Sequence, residues 1–167
     1  MTTTTEEGLR FRVIAWWASG RTGIARSSSA PNAIHFTSPP AFGGLEGRWT
    51  PEDLLLCAVA SCYTTTFRAL ADNSKLAYTD LQVEVESAIG KGDTGYTFGE
   101  VLVRAYLMIP REEERERAIR LLHKAKDKCL VSRALSVEQT FEPRVQVGEQ
   151  RAELGQPLPV SGKEAYR

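Results

Sequence analysis

The alternation of apolar and polar residues along this chain predicts a set of β-strands. Period-two patterns mark residues 9–17, 81–86 and 96–109, and weaker strands are predicted around residues 33–37 and over residues 137–145. The first strand should have one buried face and one partly covered face. A glycine-rich turn separates the strands at 81–86 and 96–109, so these two should form a hairpin.

Two helices are predicted among these strands, which gives an α+β fold. Thr50 can cap the first helix, Pro51 fits its first turn, and acidic residues follow, so it should cover about residues 51–71. Residues 54–60 are all apolar and should be buried all round, with a dimer partner covering one side. Pro110 opens the second helix, whose acidic start and basic end suit the helix dipole. The residues predicted for its buried face are Ile119, Leu122 and Ala125.

The length of 167 residues suits one domain with a tail at each end. We expect a flexible tail over residues 1–8, a domain over residues 9–146 and a mobile tail over residues 147–167. No apolar run looks long enough to cross a bilayer, and the N-terminal residues do not resemble a secretion signal. The expected location is therefore the cytoplasm, with no membrane partner.

Charge and histidine content exclude several classes of partner. Lysine plus arginine and aspartate plus glutamate balance at 21 each, so no overall field favours nucleic acid or a strongly charged substrate. His35 and His123 are the two histidines of the chain, too few for a histidine-rich metal site. The expected partner is a small or neutral molecule.

The three cysteines are the candidates for chemistry. Cys62 lies within the apolar helix, and Cys129 follows the charged helix, sixty-seven positions later. In a reducing compartment a disulfide between them would be a catalytic state rather than a structural one. Cys57 precedes Cys62 by five residues, about 140° round the helix, and is expected to be a small core residue.

Four short motifs occur in one order and resemble the OsmC/Ohr family of thiol-dependent peroxidases, within its broad OsmC-like branch. They are Phe42-Gly43-Gly44, then Thr50-Pro51-Glu52-Asp53-Leu54-Leu55-Leu56, then Ala60-Ser61-Cys62, then Cys129-Leu130-Val131-Ser132. The resemblance covers roughly residues 9–146. The family usually has proline after the second cysteine, where this chain has Leu130.

The resemblance implies an OsmC-like fold, in which antiparallel sheets wrap long central helices in an intertwined homodimer. It implies reduction of small organic hydroperoxides, with Cys62 as the peroxidatic thiol and Cys129 as the resolving thiol. Glu52 matches the family's carboxylate at the helix start, and Arg21 matches its arginine in an early turn. No bound cofactor is implied, and the electron donor would be an external dithiol such as a lipoyl group.

This chemistry needs a cation near the reactive sulfur, because a buried thiol is otherwise mostly protonated at neutral pH. Arg21 is the candidate cation, and Glu52 would hold its guanidinium in place. Glu52 and Cys62 are ten residues apart on one helix, about 15 Å along its axis. We therefore expect a composite site, in which Glu52 and Arg21 come from the subunit opposite the two cysteines.

Simpler roles exist for each of these residues. Each cysteine could be a core residue, Glu52 could serve only the helix dipole, and Arg21 could be a solvated turn residue. A homodimer that binds an apolar or sulfur-containing ligand without turnover is the second functional hypothesis. A cysteine hydrolase ranks last, because neither histidine lies in a recognisable motif.

Overall fold

The computed structural model describes residues 8–148, and within them the chain forms two compact units, one up to Asp53 and one from Leu54. The first unit contains a three-stranded antiparallel sheet in the order β1-β2-β3. Its strands are β1 (Val13–Ser19), β2 (Thr22–Ser27) and β3 (Ile34–Phe36). A single turn of 3₁₀ helix, Pro40–Phe42, follows β3.

The first strand differs from its prediction in extent and in burial. β1 begins at Val13 rather than at residue 9, and every residue of it is exposed within the chain. Trp17, for example, is 58% exposed. β2 was not predicted, because a glycine-containing turn and a short mixed sequence gave no clear alternation. The weak strand predicted around residues 33–37 is confirmed as β3.

Thr50 caps the first helix, as predicted. Its hydroxyl oxygen accepts a hydrogen bond from the Asp53 amide at 3.2 Å, and the Asp53 carboxylate accepts one from the Thr50 amide at 2.9 Å. This reciprocal pair is a capping box, which satisfies two backbone donors that a helix start leaves free. The helix α1 spans Pro51–Ser74, three residues longer than predicted.

The prediction that residues 54–60 are buried all round is wrong for the single chain. Val59 is fully buried, Cys57 is exposed and the remaining five are intermediate. Within the whole helix, the buried side chains recur every four residues: Val59, Tyr63, Phe67 and Ala71. One stripe of α1 therefore contacts the core of the chain, and much of the rest of its apolar surface does not.

The second unit contains a mixed sheet in the order β4-β5-β6. β4 (Asp80–Gly92) and β5 (Gly95–Ile109) form the predicted antiparallel hairpin. β6 (Gln139–Val147) pairs with β5 in parallel, which requires the chain to cross over between them. That connection carries a 3₁₀ turn, Glu112–Glu114, and the helices α2 (Arg115–Lys128) and α3 (Leu130–Ala134).

The core of this unit forms between the sheet and the helices. Alternate residues of β5 are buried, as strand geometry requires, and they cluster with buried residues of α1 and α2. The buried residues of α2 are Ala118, Leu121, Leu122 and Ala125. Leu122 and Ala125 confirm the predicted face, whereas Ile119 is only partly buried. α3 was not predicted, because five residues are too few to show a period.

The length and hydropathy of α1 correct one further expectation. By length and composition alone, Pro51–Ser74 is apolar enough to cross a membrane, although no run was expected to be. The core helix of a soluble protein passes the same test, so this is weak evidence for a membrane. The tails predicted over residues 1–8 and 147–167 lie mostly outside the described residues.

Candidate functional site

The structure brings Cys62 and Cys129 together within the second unit. Cys62 lies in the middle of α1 and packs against the core cluster that contains Cys129. Cys129 lies at the corner between α2 and α3, where its extended backbone ends one helix and starts the next. Its sulfur is 4.0 Å from the carbonyl oxygen of Val59, one turn before Cys62 on α1. The convergence expected from the sequence is present.

The two thiols differ in their access to solvent. Cys62 is half-buried, whereas Cys129 is 0% exposed. Cys62 is therefore the more accessible of the two residues, and an oxidant can reach the Cys129 sulfur only after the packing around it moves. This asymmetry suits Cys62 to react first and Cys129 to react with its product.

The surroundings of Cys62 favour its thiolate. Burial opposes ionisation, but hydrogen bonds from the Val131 backbone, the Cys129 thiol, the Leu130 backbone and the Thr66 side chain outweigh it and lower the pKa of Cys62. Each donor stabilises negative charge on the sulfur more than it stabilises the neutral thiol. The thiolate, which is the reactive form, is therefore more populated than for a free cysteine.

Apart from Cys129, these hydrogen-bond donors were not predicted from the sequence as site residues. The backbone groups of Leu130 and Val131 follow directly after Cys129, so the same corner that presents the second thiol also presents two amides. Thr66 lies four residues after Cys62 and therefore on the same side of α1. The i, i+4 spacing of Cys62 and Thr66 could have been recognised in the sequence. The contribution of the two backbone amides to the pKa of Cys62 depends on the fold.

Tyr63 belongs to the same core cluster as Cys129, against which Cys62 packs. Its ring is 0% exposed and packs against Phe141, with 5.6 Å between ring centroids. Its hydroxyl donates a hydrogen bond to the carbonyl oxygen of Leu122 at 3.0 Å, which links α1 to α2. Burial, with a smaller effect of negative charge on Cys129, raises the pKa of Tyr63 far above its usual range. Tyr63 therefore stays neutral in the folded protein.

Cys57 does not share this environment. It was expected to be a core residue, but it is exposed, because the buried stripe of α1 runs through Val59 and Tyr63 instead. The prediction that it faces away from the Cys62 pocket agrees with this position. All three cysteines are free thiols.

Arg21 lies in the first unit, in the turn between β1 and β2. Its guanidinium donates a hydrogen bond to the carbonyl oxygen of Gly43, within the Phe-Gly-Gly motif. Thr37, which is 1% exposed, donates to the Arg21 carbonyl at 2.8 Å and accepts from the Leu45 amide at 3.2 Å. These contacts hold the arginine turn and the motif together.

Both glycines of that motif are required by the local geometry. Gly43 has φ of 80°, a left-handed conformation that favours glycine, and a Cβ there would lie 3.0 Å from the Arg21 guanidinium. A Cβ on Gly44 would lie 1.5 Å from the Ser38 carbonyl oxygen, a distance that no backbone can accept without moving. The motif is therefore a compact support for the Arg21 turn.

Glu52 occupies the second position of α1, next to the capping box but not part of it. Its Oε2 atom is buried and has no hydrogen-bond partner among the described residues. Within residues 8–148 the Arg21 guanidinium donates to the Gly43 carbonyl instead of forming the expected ion pair with Glu52. Their proposed role beside Cys62 stays a prediction. Within the same residues, no group of three or more His, Cys, Asp or Glu side chains could hold a metal ion.

The described residues form an α+β fold with two small sheets and a pair of neighbouring thiols, which is the class of a thiol-bearing α+β protein. Comparisons with known proteins identify the family. The sequence profile of OsmC-like proteins matches residues 44–144. This chain belongs to the OsmC/Ohr family, whose members are generally soluble proteins.

Individual relatives agree with this assignment. The chain is 27% identical over 143 residues to the uncharacterized protein YmaD of Bacillus subtilis, covering 83% of this chain and 95% of the relative. It is 30% identical over 116 residues to the organic hydroperoxide resistance protein of Xanthomonas axonopodis pv. citri, covering 69% of this chain and 80% of the relative.

Solved structures show the same fold at lower identity. An OsmC-like protein of unknown function from Vibrio cholerae superposes with a TM-score of 0.73 at 15% identity, covering 81% of this chain and 99% of its own. An organic hydroperoxide resistance protein from Elizabethkingia anophelis gives a TM-score of 0.67 at 20% identity, covering 86% of this chain and all of its own.

Proposed function

We propose that this protein is a thiol-dependent peroxidase that reduces organic hydroperoxides to alcohols. The observation that carries the proposal is the pairing of a half-buried Cys62, with a lowered pKa, and a fully buried Cys129 that hydrogen-bonds to it. Membership of a family that includes organic hydroperoxide resistance proteins supports the same reaction.

The proposed cycle has three balanced steps. The Cys62 thiolate attacks the terminal peroxide oxygen, the O–O bond breaks, and an alcohol leaves after protonation, so that Cys62 becomes a sulfenic acid. Cys129 then attacks that sulfur, a disulfide forms, and water leaves. Finally an external dithiol reduces the disulfide and is itself oxidised. No bound cofactor takes part, and we place the cycle in the cytoplasm.

The working unit of this proposal is a homodimer. The chain leaves large apolar side chains exposed in its first unit and leaves the leucines at 54–56 of α1 only partly buried, and a second copy of the chain would cover such surfaces in an intertwined dimer. In this dimer, Arg21 and Glu52 of one subunit would approach Cys62 of the other. The Glu52 oxygen is buried and has no hydrogen-bond partner within residues 8–148, which supports a further partner for Glu52 in the dimer.

The direct test is oxidation of the reduced protein by an organic hydroperoxide such as cumene hydroperoxide, followed by mass spectrometry. We expect an intrachain disulfide between Cys62 and Cys129, with consumption of one peroxide per disulfide. A Cys57→Ser variant should behave like the wild type, because Cys57 lies outside the site. A protein whose Cys62 stays reduced under excess hydroperoxide would refute the peroxidase.

The composite site has its own test, which uses mixed dimers. Cys62→Ser and Glu52→Ala homodimers should both be inactive, for different reasons. A mixed dimer would hold one intact site, built from Cys62 of one subunit and Glu52 of the other, and should recover about half of the wild-type activity per dimer. Mixed dimers without activity would count against a shared site.

The second candidate is a homodimer that binds an apolar or sulfur-containing ligand without turnover. An ordinary pKa at Cys62 would favour that candidate. The hydrogen bonds at Cys62 lower its pKa and therefore favour the peroxidase.

A further inference from the structure

Gln139 connects the two helices that meet at Cys129. Its carboxamide oxygen accepts a hydrogen bond from Nζ of Lys126, in the last turn of α2, at 2.7 Å. Its carboxamide nitrogen donates to the backbone carbonyl of Ser132, in α3, at 2.7 Å. One side chain therefore bridges residues on both sides of the corner that carries Cys129.

The bridge has a rigid base, because Gln139 is the first residue of β6. It pairs with Val101 of β5, and the Val101 amide donates to the carbonyl of the preceding Glu138 at 2.8 Å. Val101 is fully buried. The backbone of Gln139 is thus anchored by the sheet, and its carboxamide reaches from there to both helices.

Besides its packing in the core and the hydrogen bond from the Arg133 amide to the Cys129 carbonyl at 3.1 Å, the corner has few hydrogen bonds of its own. The Cys129 amide reaches the Lys126 carbonyl only at 3.4 Å, which is long for a hydrogen bond. Cys129 itself has φ of −63° and ψ of 108°, so the helical hydrogen-bond pattern breaks there. The Ser132 hydroxyl is buried and has no partner among the described residues, so it adds no restraint.

We propose that Gln139 is a positioning residue that holds the Cys129 corner at the distance needed to form the Cys62–Cys129 disulfide. The inference rests on the proposed peroxidase cycle and concerns its second step, in which Cys129 displaces water from the Cys62 sulfenic acid. A disulfide forms only within a narrow range of sulfur positions and angles. A displacement of the corner by up to about 1 Å would slow disulfide formation, while Cys62 would keep its access to peroxide.

The test compares four variants with the wild type in a Cys57→Ser background. Gln139→Leu removes both hydrogen bonds, Gln139→Glu keeps an acceptor for Lys126 and loses the donor to Ser132, and Lys126→Met removes one arm. Gln146→Leu is the matched control, because Gln146 is an exposed glutamine on the same strand. Thermal unfolding and circular dichroism establish that each variant is folded.

The readout is the ratio of two products after one equivalent of cumene hydroperoxide. Dimedone traps the sulfenic acid, and mass spectrometry counts the disulfide. We expect Gln139→Leu and Gln139→Glu to lower the rate of disulfide formation about tenfold or more, and Lys126→Met to lower it less. Sulfinic acid at Cys62 should appear at correspondingly lower peroxide doses. The rate of sulfenic acid formation should not change, a separation that general destabilisation would not produce.

A second oxidant keeps this inference separate from the proposed function. Diamide accepts two electrons from a pair of neighbouring thiols, links them as a disulfide and becomes a hydrazine, with no peroxide involved. If the wild type does not react with hydroperoxide, the peroxidase proposal fails. Oxidation by diamide still reports whether Gln139 holds Cys129 at disulfide-forming distance from Cys62. The inference is overturned if the folded Gln139 variants form the disulfide at the wild-type rate with both oxidants. If Gln139→Leu does not fold, the Gln139→Glu variant alone decides.

Discussion

Replacement of Tyr63 by phenylalanine tests the core behind the two thiols. The change removes the hydroxyl that donates to the Leu122 carbonyl and keeps the buried ring. At pH 7 the loss of one buried hydrogen bond should lower the free energy of unfolding by about 1 kcal/mol.

The sign of this effect should change with pH. The folded protein raises the pKa of Tyr63, so the stability that it contributes is fully present below the unfolded pKa of about 10 and is lost as pH rises above it. At about pH 11, ionisation of this residue in the unfolded chain costs the wild type about 1.4 kcal/mol. The Tyr63→Phe variant has no such cost, so the two stability curves should cross between about pH 10 and pH 11.

The assay is urea unfolding of both proteins from pH 7 to pH 11, with the difference in free energy plotted against pH. The other tyrosines ionise equally in both proteins and cancel in that difference. Tyr96→Phe is the control, because Tyr96 is 61% exposed and its replacement leaves the buried ring of Tyr63 and its hydrogen bond to Leu122 in place. A difference between wild type and Tyr63→Phe that stays constant over this range would refute the argument that burial keeps Tyr63 neutral.

Two further substitutions test the site and its support. In a Cys57→Ser background, the rate of Cys62 alkylation by iodoacetamide should rise with pH. The pH at the midpoint of that rise should be lower than for an ordinary cysteine. Cys129→Ala should move the midpoint upward, and an unchanged midpoint would show that the second thiol does not stabilise the thiolate. Gly44→Ala should lower the free energy of unfolding by about 3 kcal/mol or more, because its Cβ would overlap a backbone carbonyl oxygen. Gly90→Ala, which has open space, should cost far less in the same urea titration.

The sequence predicts the parts of the fold that have strong local signals. Thr50 and Pro51 marked the start of α1, and the long alternation after residue 96 marked β5, because caps and periods are local properties. β2 and α3 were missed because each is short and its formation depends on pairing or packing elsewhere in the chain. The exposure of Cys57 could not be predicted either, since an all-apolar segment does not reveal which side faces the core.

The candidate site divides in the same way. Convergence of Cys62 and Cys129 was inferred from a resemblance of motifs, and the structure places both in one cluster. The donors that lower the pKa of Cys62 come largely from the backbone after Cys129, and side-chain identity in a sequence carries no information about them. Arg21 and Glu52 keep their assigned roles as predictions, because the Cys62 thiol beside which they would act belongs to a second chain.

The parallel pairing of β5 with β6 also orders the assembly of the thiol pair during synthesis. Val101 meets Gln139 across a long helical crossover, so the loop-closure entropy of that crossover opposes their pairing until the strands are in contact. A nascent chain that has not yet released β6 from the ribosome lacks the strand from which the Cys129 corner is held. The two thiols therefore become a matched pair only after β6 has joined the sheet, which is later than the hairpin of β4 and β5.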